Sequence, residues 1–173
     1  MMMIVCQTPR LVIRRFSHQD AEFIVKLLNE PSFIENITDK GVRSVADAIE
    51  YLNAGPIMSY KTHGFGLYAV ELIENNMLIG MCGLLKRPEL TLPDIGYAYL
   101  PAFWRKGYAK EAVNAVLEYA QQQLKIDKIA AVTSLNNISS IGLLESIGFK
   151  QLKTMQLYEN EPKCRYFELL SKI

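Results

Sequence analysis

The sequence predicts a single mixed α/β domain of the α+β type, built on a mostly antiparallel sheet of six to seven strands. Three observations carry that prediction. The chain has 173 residues, and a chain of that length buries roughly 70% of the surface it would expose unfolded. Its apolar residues recur at helical spacing from about residue 21 to 60, at strand spacing from residue 67, and at helical spacing again from residue 107 to 124. Between 94 and 135 the order is strand, loop, helix, strand, which crosses over and pairs in parallel. The hairpin-like runs around it pair antiparallel. No internal repeat or low-complexity linker offers a boundary, so residues 1–173 are expected to form one domain.

Each element has its own warrant. Arg10 to Arg15 is short and β-branched, and reads as the first strand. Ser17 with Asp20 is a capping-box pair that opens a helix, and Ala21, Ile24, Val25 and Leu28 give it one apolar face before Pro31 ends it. The stretch 30–43 is expected as loop. Ser44 with Asp47 repeats the capping pattern ahead of Val45, Ala48, Ile49 and Leu52. Gly55-Pro56 interrupts that helix, and a further turn or two runs to Tyr60, closed by Gly64. Leu67–Leu72 and Leu78–Leu85 flank the turn cluster Glu74-Asn75-Asn76 and form a hairpin. Asp94 to Leu100 is the next strand, stopped by Pro101. Ala109, Ala112, Val113, Val116, Leu117, Ala120 and Leu124 mark the longest helix. Lys128 to Leu135 is another strand, and Ile138 to Ile147 a short helix stopped at Gly148-Phe149. Residues 149–158 and 164–170 make two last strands around Asn160-Glu161-Pro162.

Composition narrows the partners. Lys+Arg number 19 against 18 Asp+Glu, a formal net charge of +1, so no field favours nucleic acid or another polyanion. A charged fraction of 21% with 10% aromatics is not the composition of a disordered chain. Cys6, Cys82 and Cys164 are far apart with no CxxC pair, and His18 and His63 are isolated, so no metal is expected. Reduced thiols and the absence of a leader or an apolar run of ~18 residues point to a soluble, cytoplasmic protein with no membrane partner.

The chemistry concentrates in the loop Pro101 to Ala112. Gly107 removes a side chain where backbone N–H groups turn toward one point, and Arg105 and Lys106 add positive charge outside the start of the longest helix. A helix N-terminus carries about half a positive charge and unpaired donors, so this is an anion seat, most naturally for a pyrophosphate. A basic loop that merely solvates a helix start would look the same. Neither GxxxxGK[ST] nor GxGxxG is present.

Trp104-Arg105-Lys106-Gly107-Tyr108-Ala109, followed by Lys110-Glu111-Ala112, resembles the acyl-CoA pyrophosphate loop of the GNAT N-acetyltransferase superfamily. The usual hexamer there is Gln/Arg-x-x-Gly-x-Gly/Ala; Gly107 and Ala109 match, and Trp104 departs from it in a way common in the branch of ribosomal-protein (alanine) N-terminal acetyltransferases. That branch also begins with a segment like Thr8-Pro9-Arg10-Leu11-Val12-Ile13-Arg14. It carries a strand like Asp94-Ile95-Gly96-Tyr97 and a segment like Asn137-Ile138-Ser139-Ser140 through Leu144 to Gly148-Phe149. The resemblance runs from about residue 8 to 170.

The resemblance implies helices on both faces of the sheet and a splayed parallel strand pair that holds acetyl-CoA as acyl donor. The backbone around Tyr99 and Leu100 would bond the pantetheine, and Arg105, Lys106, Gly107, Tyr108, Ala109 and Lys110 would hold the pyrophosphate. Asn137 would bond the pantetheine arm, and Ser140 would donate a proton to the departing CoA thiolate. Asn137 and Ser140 are equally favoured as helix caps, and Tyr97 and Tyr99 fit strand packing. Many members use a Tyr where this chain has Leu144, so that donor is excluded. Dimers are common among relatives; this chain is a monomer or a homodimer.

The implied reaction is direct attack of a neutral amine on the acetyl thioester, on a protein N-terminus or a small molecule. Polyamine or aminoglycoside acceptors, and a non-catalytic acyl-CoA-binding module, are the competing readings. Glu71, Asp94, Glu159 and Glu161 are the candidate carboxylate bases, and the first two helices, the 30–43 stretch and the tail hairpin are expected to build the acceptor pocket. Within it Phe33, Glu35 and Asn36 are candidate contacts, while His63 beside Gly64 reads as a helix end.

Overall fold

The computed structural model describes residues 2–169. The chain opens on an antiparallel pair, β1 (Ile4–Gln7) and β2 (Leu11–Arg14). β1 is not foreseen by the sequence: four half-exposed residues at a sheet edge are too few to show an alternation. The Ser17–Asp20 capping box closes as predicted, around a 3-10 turn, His18–Asp20, that leads into α1 (Ala21–Leu28).

Two expectations need correction here. Pro31 does not merely end α1; it begins α2 (Pro31–Asn36), because a proline in the first turn gives up an N–H that has no partner there anyway. The 30–43 stretch is therefore partly helical. Gly55-Pro56 does not interrupt the next helix, α3 (Val45–Leu52), which is capped by Ser44 and Asp47. Residues Asn53–Ile57 widen into a π-helical turn that absorbs Pro56, and the chain runs on as α4 (Met58–His63) to Gly64 at φ 78°.

β3 (Leu67–Leu72) and β4 (Leu78–Leu85) form the predicted hairpin. β5 (Asp94–Tyr99), α5 (Tyr108–Gln122) and β6 (Ile129–Ser134) make the crossover. α6 (Ile138–Ile147), β7 (Lys150–Met155) and β8 (Cys164–Leu169) complete the described chain. Residue 170 of the last predicted strand lies outside the described residues, as do 1 and 171–173. The sheet has eight strands instead of six to seven, in the order β1-β2-β3-β4-β5-β6-β8-β7. Among the described residues only β5 and β6 pair in parallel.

The strand alternation sorts the core onto two faces. Tyr68, Val70 and Leu72 pack with Val113, Val116 and Leu117 of α5 and Leu144 of α6. Leu67 and Ala69 turn the other way, against Ile24, Leu27 and Leu28 of α1 and Ala48 and Leu52 of α3. Helices thus cover both faces, with α5 and α6 together on one of them and α1 and α3 on the other.

A buried ion cluster joins these layers near the start of α1. Arg14 is 5% exposed and grips both carboxylate oxygens of Asp20 at 3.0 and 2.9 Å, and Glu71 on β3 at 3.1 Å. Burying these charges is tolerable only because each meets its opposite with good geometry. Arg14→Ala strands two buried carboxylates, and should lower unfolding stability in urea by about 3–5 kcal/mol. A midpoint close to that of the unsubstituted chain would show that water already screens the cluster.

Candidate active site

The site begins with a failure of strand pairing. β4 pairs with β5 along its whole length, from Leu85↔Asp94 to Gly80↔Tyr99, and the Leu100 N–H continues the ladder to the Ile79 carbonyl at 2.9 Å. β6 meets β5 at one register pair, Asp94↔Ala130. In an antiparallel ladder the backbone groups of alternate residues point to opposite sides. With Leu100 bonded to β4, those of Ile95, Tyr97 and Tyr99 are turned toward β6, which has moved away. The strand therefore presents an open edge that an extended ligand can bond.

That edge opens into a cleft of about 450 Å³. Phe33 and Asn36 of α2 line one side, Tyr97 and Tyr99 the strand, Asn137 and Ser140 the α6 side, and residues of the 103–110 loop the end. The loop has the geometry of an anion seat. Arg105 and Gly107 both take positive φ, 60° and 81°, which turns the chain sharply into α5. Gly107 occupies the N-cap and supplies no capping side chain. The first helical bond runs from the Glu111 N–H to the Gly107 carbonyl at 3.1 Å, so the N–H groups of Tyr108, Ala109 and Lys110 have no partner within the helix. Arg105 and Lys110 also line the cleft. A β-carbon at Gly107 would lie 3.3 Å from Arg10 Nη2 and strain a left-handed backbone.

The loop is braced from the other end of the sequence. Arg10 donates to Glu111 Oε2 through Nε at 2.7 Å, forms an ion pair with it through Nη2, also 2.7 Å, and donates to the Lys106 carbonyl at 2.9 Å. Its guanidinium also stacks on the Tyr108 ring, 4.3 Å from the centroid. Thr8 Oγ donates to Glu111 Oε1 at 2.5 Å. Burial alone would raise the Glu111 carboxyl, but the hydrogen bonds from Thr8 and Arg10 outweigh it and hold it below its ordinary value. Two motifs that look separate in the sequence, Thr8-Pro9-Arg10 and Lys110-Glu111-Ala112, are thus one structure.

On α6 the capping role is real: the Asn137 Oδ1 accepts from the Ser140 N–H at 3.2 Å. The Asn137 Nδ2 is not used by the cap and remains a donor for the cleft. Ser140 Oγ lies 2.7 Å from the Tyr97 hydroxyl, a contact that nothing in the sequence signals. Burial pushes the Tyr97 phenol up to about 12. Leu144 is buried in the main core, well suited to its apolar side chain.

The structure brings Tyr99, Arg105, Gly107, Tyr108, Ala109, Lys110, Asn137 and Ser140 to one cleft. Leu100 is not among them. It is 5% exposed, its N–H is spent on Ile79 and its carbonyl accepts from Phe103 at 3.0 Å. The edge groups belong to Tyr97 and Tyr99 instead, although the Tyr99 carbonyl already accepts from Trp104 Nε1 at 2.9 Å. That bond gives Trp104 a donor's task where the usual hexamer has Gln or Arg. The Lys106 side chain lies over the Phe103 ring, 5.7 Å from its centroid, outside the cleft lining.

The candidate carboxylates stay out of the cleft. Glu71 is held by Arg14, and the fully buried Asp94 by Arg87 at 3.1 Å. Glu159 and Glu161 are exposed between β7 and β8, and Glu35 is exposed on α2. His63 stacks on Phe65 against a different hollow. Cys82 is buried and Cys6 is pushed up to about 11, chiefly by burial. Among the described residues no cluster of three or more His, Cys, Asp or Glu could hold a metal ion. None of the described helices is long and apolar enough to cross a membrane.

Residues 10–150 match the family model of the acetyltransferase (GNAT) domain. The chain is 26% identical over 155 residues to YoaA of Bacillus subtilis strain 168, an uncharacterized N-acetyltransferase, covering 89% of this chain and 87% of that one. A solved GNAT-family acetyltransferase from Bacillus anthracis superposes with a TM-score of 0.78 at 27% identity, over 98% of both chains. RimL, a ribosomal α-N-protein acetyltransferase solved with coenzyme A, reaches a TM-score of 0.83 at 14% identity, over 97% of this chain and 98% of that one. At that identity the likeness is one of fold.

The brace makes a pH-dependent prediction. Glu111 has a depressed folded pKa, so its stabilisation is present above the ordinary value of 4.5 and is lost as pH falls through the folded value. Glu111→Gln should therefore melt below the unsubstituted chain at pH 6, and the gap should narrow toward pH 3. Backbone exchange at residues 105–110 should quicken in the variant at pH 6. A gap that does not change with pH would assign the loss to packing instead.

Proposed function

This chain belongs to the GNAT acetyltransferase family and is an N-acetyltransferase that takes its acetyl group from acetyl-CoA; we propose that its acceptor is an α-amine, either a protein N-terminus or a small molecule of similar basicity. One observation carries the proposal: among the described residues that line the cleft, none is an aspartate or a glutamate. An α-amine with a pKa of ~7.8 is about one-third neutral at pH 7.5, while a lysine amine at ~10.4 is neutral in about one molecule per thousand. The difference is worth about 3.5 kcal/mol. A site without a carboxylate to collect that proton suits the amine that has already lost it.

In this reading the pantetheine runs along the Tyr97–Tyr99 edge as an added strand, with Asn137 Nδ2 as a further donor. The pyrophosphate rests on the amides of Tyr108, Ala109 and Lys110 beside the Arg105 and Lys110 side chains. The amine nitrogen attacks the thioester carbon directly, with backbone donors of β5 available to the developing oxyanion. Ser140 supplies the hydrogen to the leaving sulfur. Phe33 and Asn36 then face the acceptor from α2. The three free cysteines fit a cytoplasmic setting.

Two measurements test this. In a panel at pH 7.5 read by free-thiol release, a peptide with a free α-amine should outpace an Nα-blocked lysine peptide by about a hundredfold or more. Its rate should rise with pH and level off near ~8. Faster turnover of a polyamine or aminoglycoside would overturn the acceptor assignment, and thermal stabilisation by acetyl-CoA with no thiol release for any amine would favour a binding role. Gly107→Glu should abolish acetyl-CoA binding in calorimetry, since it fills and negatively charges the anion seat. Unchanged affinity would remove the loop from the site.

A further inference from the structure

We propose that Tyr97 is a positioning residue that aims the Ser140 hydroxyl at the sulfur of the acyl donor. The inference rests on the reading of the cleft given above and adds a residue to it. Ser140 sits in the first turn of α6, where a serine hydroxyl ordinarily turns back to local backbone or to solvent. Here its Oγ is instead held at 2.7 Å by a phenol reaching across from β5, a partner 43 positions away in sequence. The Ser140 carbonyl lies 3.5 Å from the same phenol, too far to compete for its hydrogen.

The direction of the bond follows from acidity. A phenol, even one pushed up to about 12 by burial, is more acidic than an alkyl hydroxyl, so of the two possible directions Tyr97 O–H is taken as donor and Ser140 Oγ as acceptor. That bond occupies one lone pair of Oγ, and the helix fixes Cβ. The hydrogen of Ser140 is then confined to the remaining directions, of which the cleft is the open one. Donation into Ser140 also polarises it, making its own hydrogen a stronger donor. The same residue contributes the backbone edge along which the thioester would lie, so strand and side chain hold donor and thioester in one frame. Burial keeps the phenol protonated across the working range.

The step balances without any change at Tyr97. The C–N bond of the amide forms as the C–S bond breaks with its electron pair on sulfur. Ser140 passes its hydrogen to sulfur, and solvent returns to Ser140 the proton that the amine nitrogen gives up.

A double-mutant cycle tests it, using acetyl-CoA and the best acceptor of the panel. Tyr97→Phe keeps the ring and its packing; it should lower kcat about tenfold while the KM for acetyl-CoA changes less than about twofold. In a Ser140→Ala background the same substitution should leave kcat unchanged, because there is no longer a hydroxyl to aim. An equal loss in both backgrounds would make Tyr97 merely structural, and full kcat in either single variant would overturn the proposal. Turnover by the unsubstituted chain is measured first, so a failure of the acceptor reading is seen apart from a failure of Tyr97.

Discussion

The single register pair between β5 and β6 is the constraint from which the rest of the molecule follows. A backbone group left dry and unbonded costs about 1–3 kcal/mol, so an open edge inside a sheet must be either wet or filled. The fold keeps it open by securing both strands elsewhere. β5 is bonded along its length to β4, and β6 is bonded over six register pairs to β8. Each strand is thus satisfied on its far side, and the gap between them costs little that water or a ligand does not return. The first residues of the crossover helix α5 line the same cleft as Tyr97 and Tyr99, so its unpaired N–H groups and the open edge lie together.

The two arginines of the N-terminal motif divide the work of holding that arrangement. Arg14 is buried with Asp20 and Glu71 and ties β2, β3 and the entry to α1 together; its charge serves the fold. Arg10, half exposed, neutralises Glu111 at the start of α5. Without it an unpaired carboxylate would sit in the first turn of α5, at the end proposed to seat an anion. The brace therefore protects the electrostatics of the loop as well as its shape.

Local rules were enough for most elements, and they failed where contacts are distant. The capping boxes at Ser17 and Ser44 and the stop at Gly64 obey rules that act within four residues, and all three closed as read. The β3–β4 hairpin is bounded by its own turn, and its limits were legible to the residue. Pro31 misled because one residue type both ends and begins helices, and only the packing of Phe33 beneath α1 and α3 decides between them. The Gly55-Pro56 pair misled because a π-helical turn can carry a proline that an α-helix cannot. Gly107 and Asn137 line the cleft where their type and position put them, whereas Leu100 lies outside it because of a strand parity that only the β4 ladder fixes. The Thr8–Glu111 and Tyr97–Ser140 contacts join residues 103 and 43 positions apart, and no periodicity encodes them.

A net charge of +1 conceals how one-sided the cleft is. Among the described residues Arg105 and Lys110 line it with no acid beside them, and the strand carboxylates Glu71 and Asp94 are each paired with an arginine elsewhere. Such a field attracts a pyrophosphate and repels an ammonium. A polycationic acceptor would enter against it at every charge. A single amine brought beside it has its pKa pushed down, toward the neutral form that can attack. For an α-amine that shift completes a deprotonation already one-third done near neutral pH, while a lysine amine would still have more than two units to go. On the proposed reading, the cations that would seat the donor would also favour a weakly basic acceptor, which needs the least help in losing its proton.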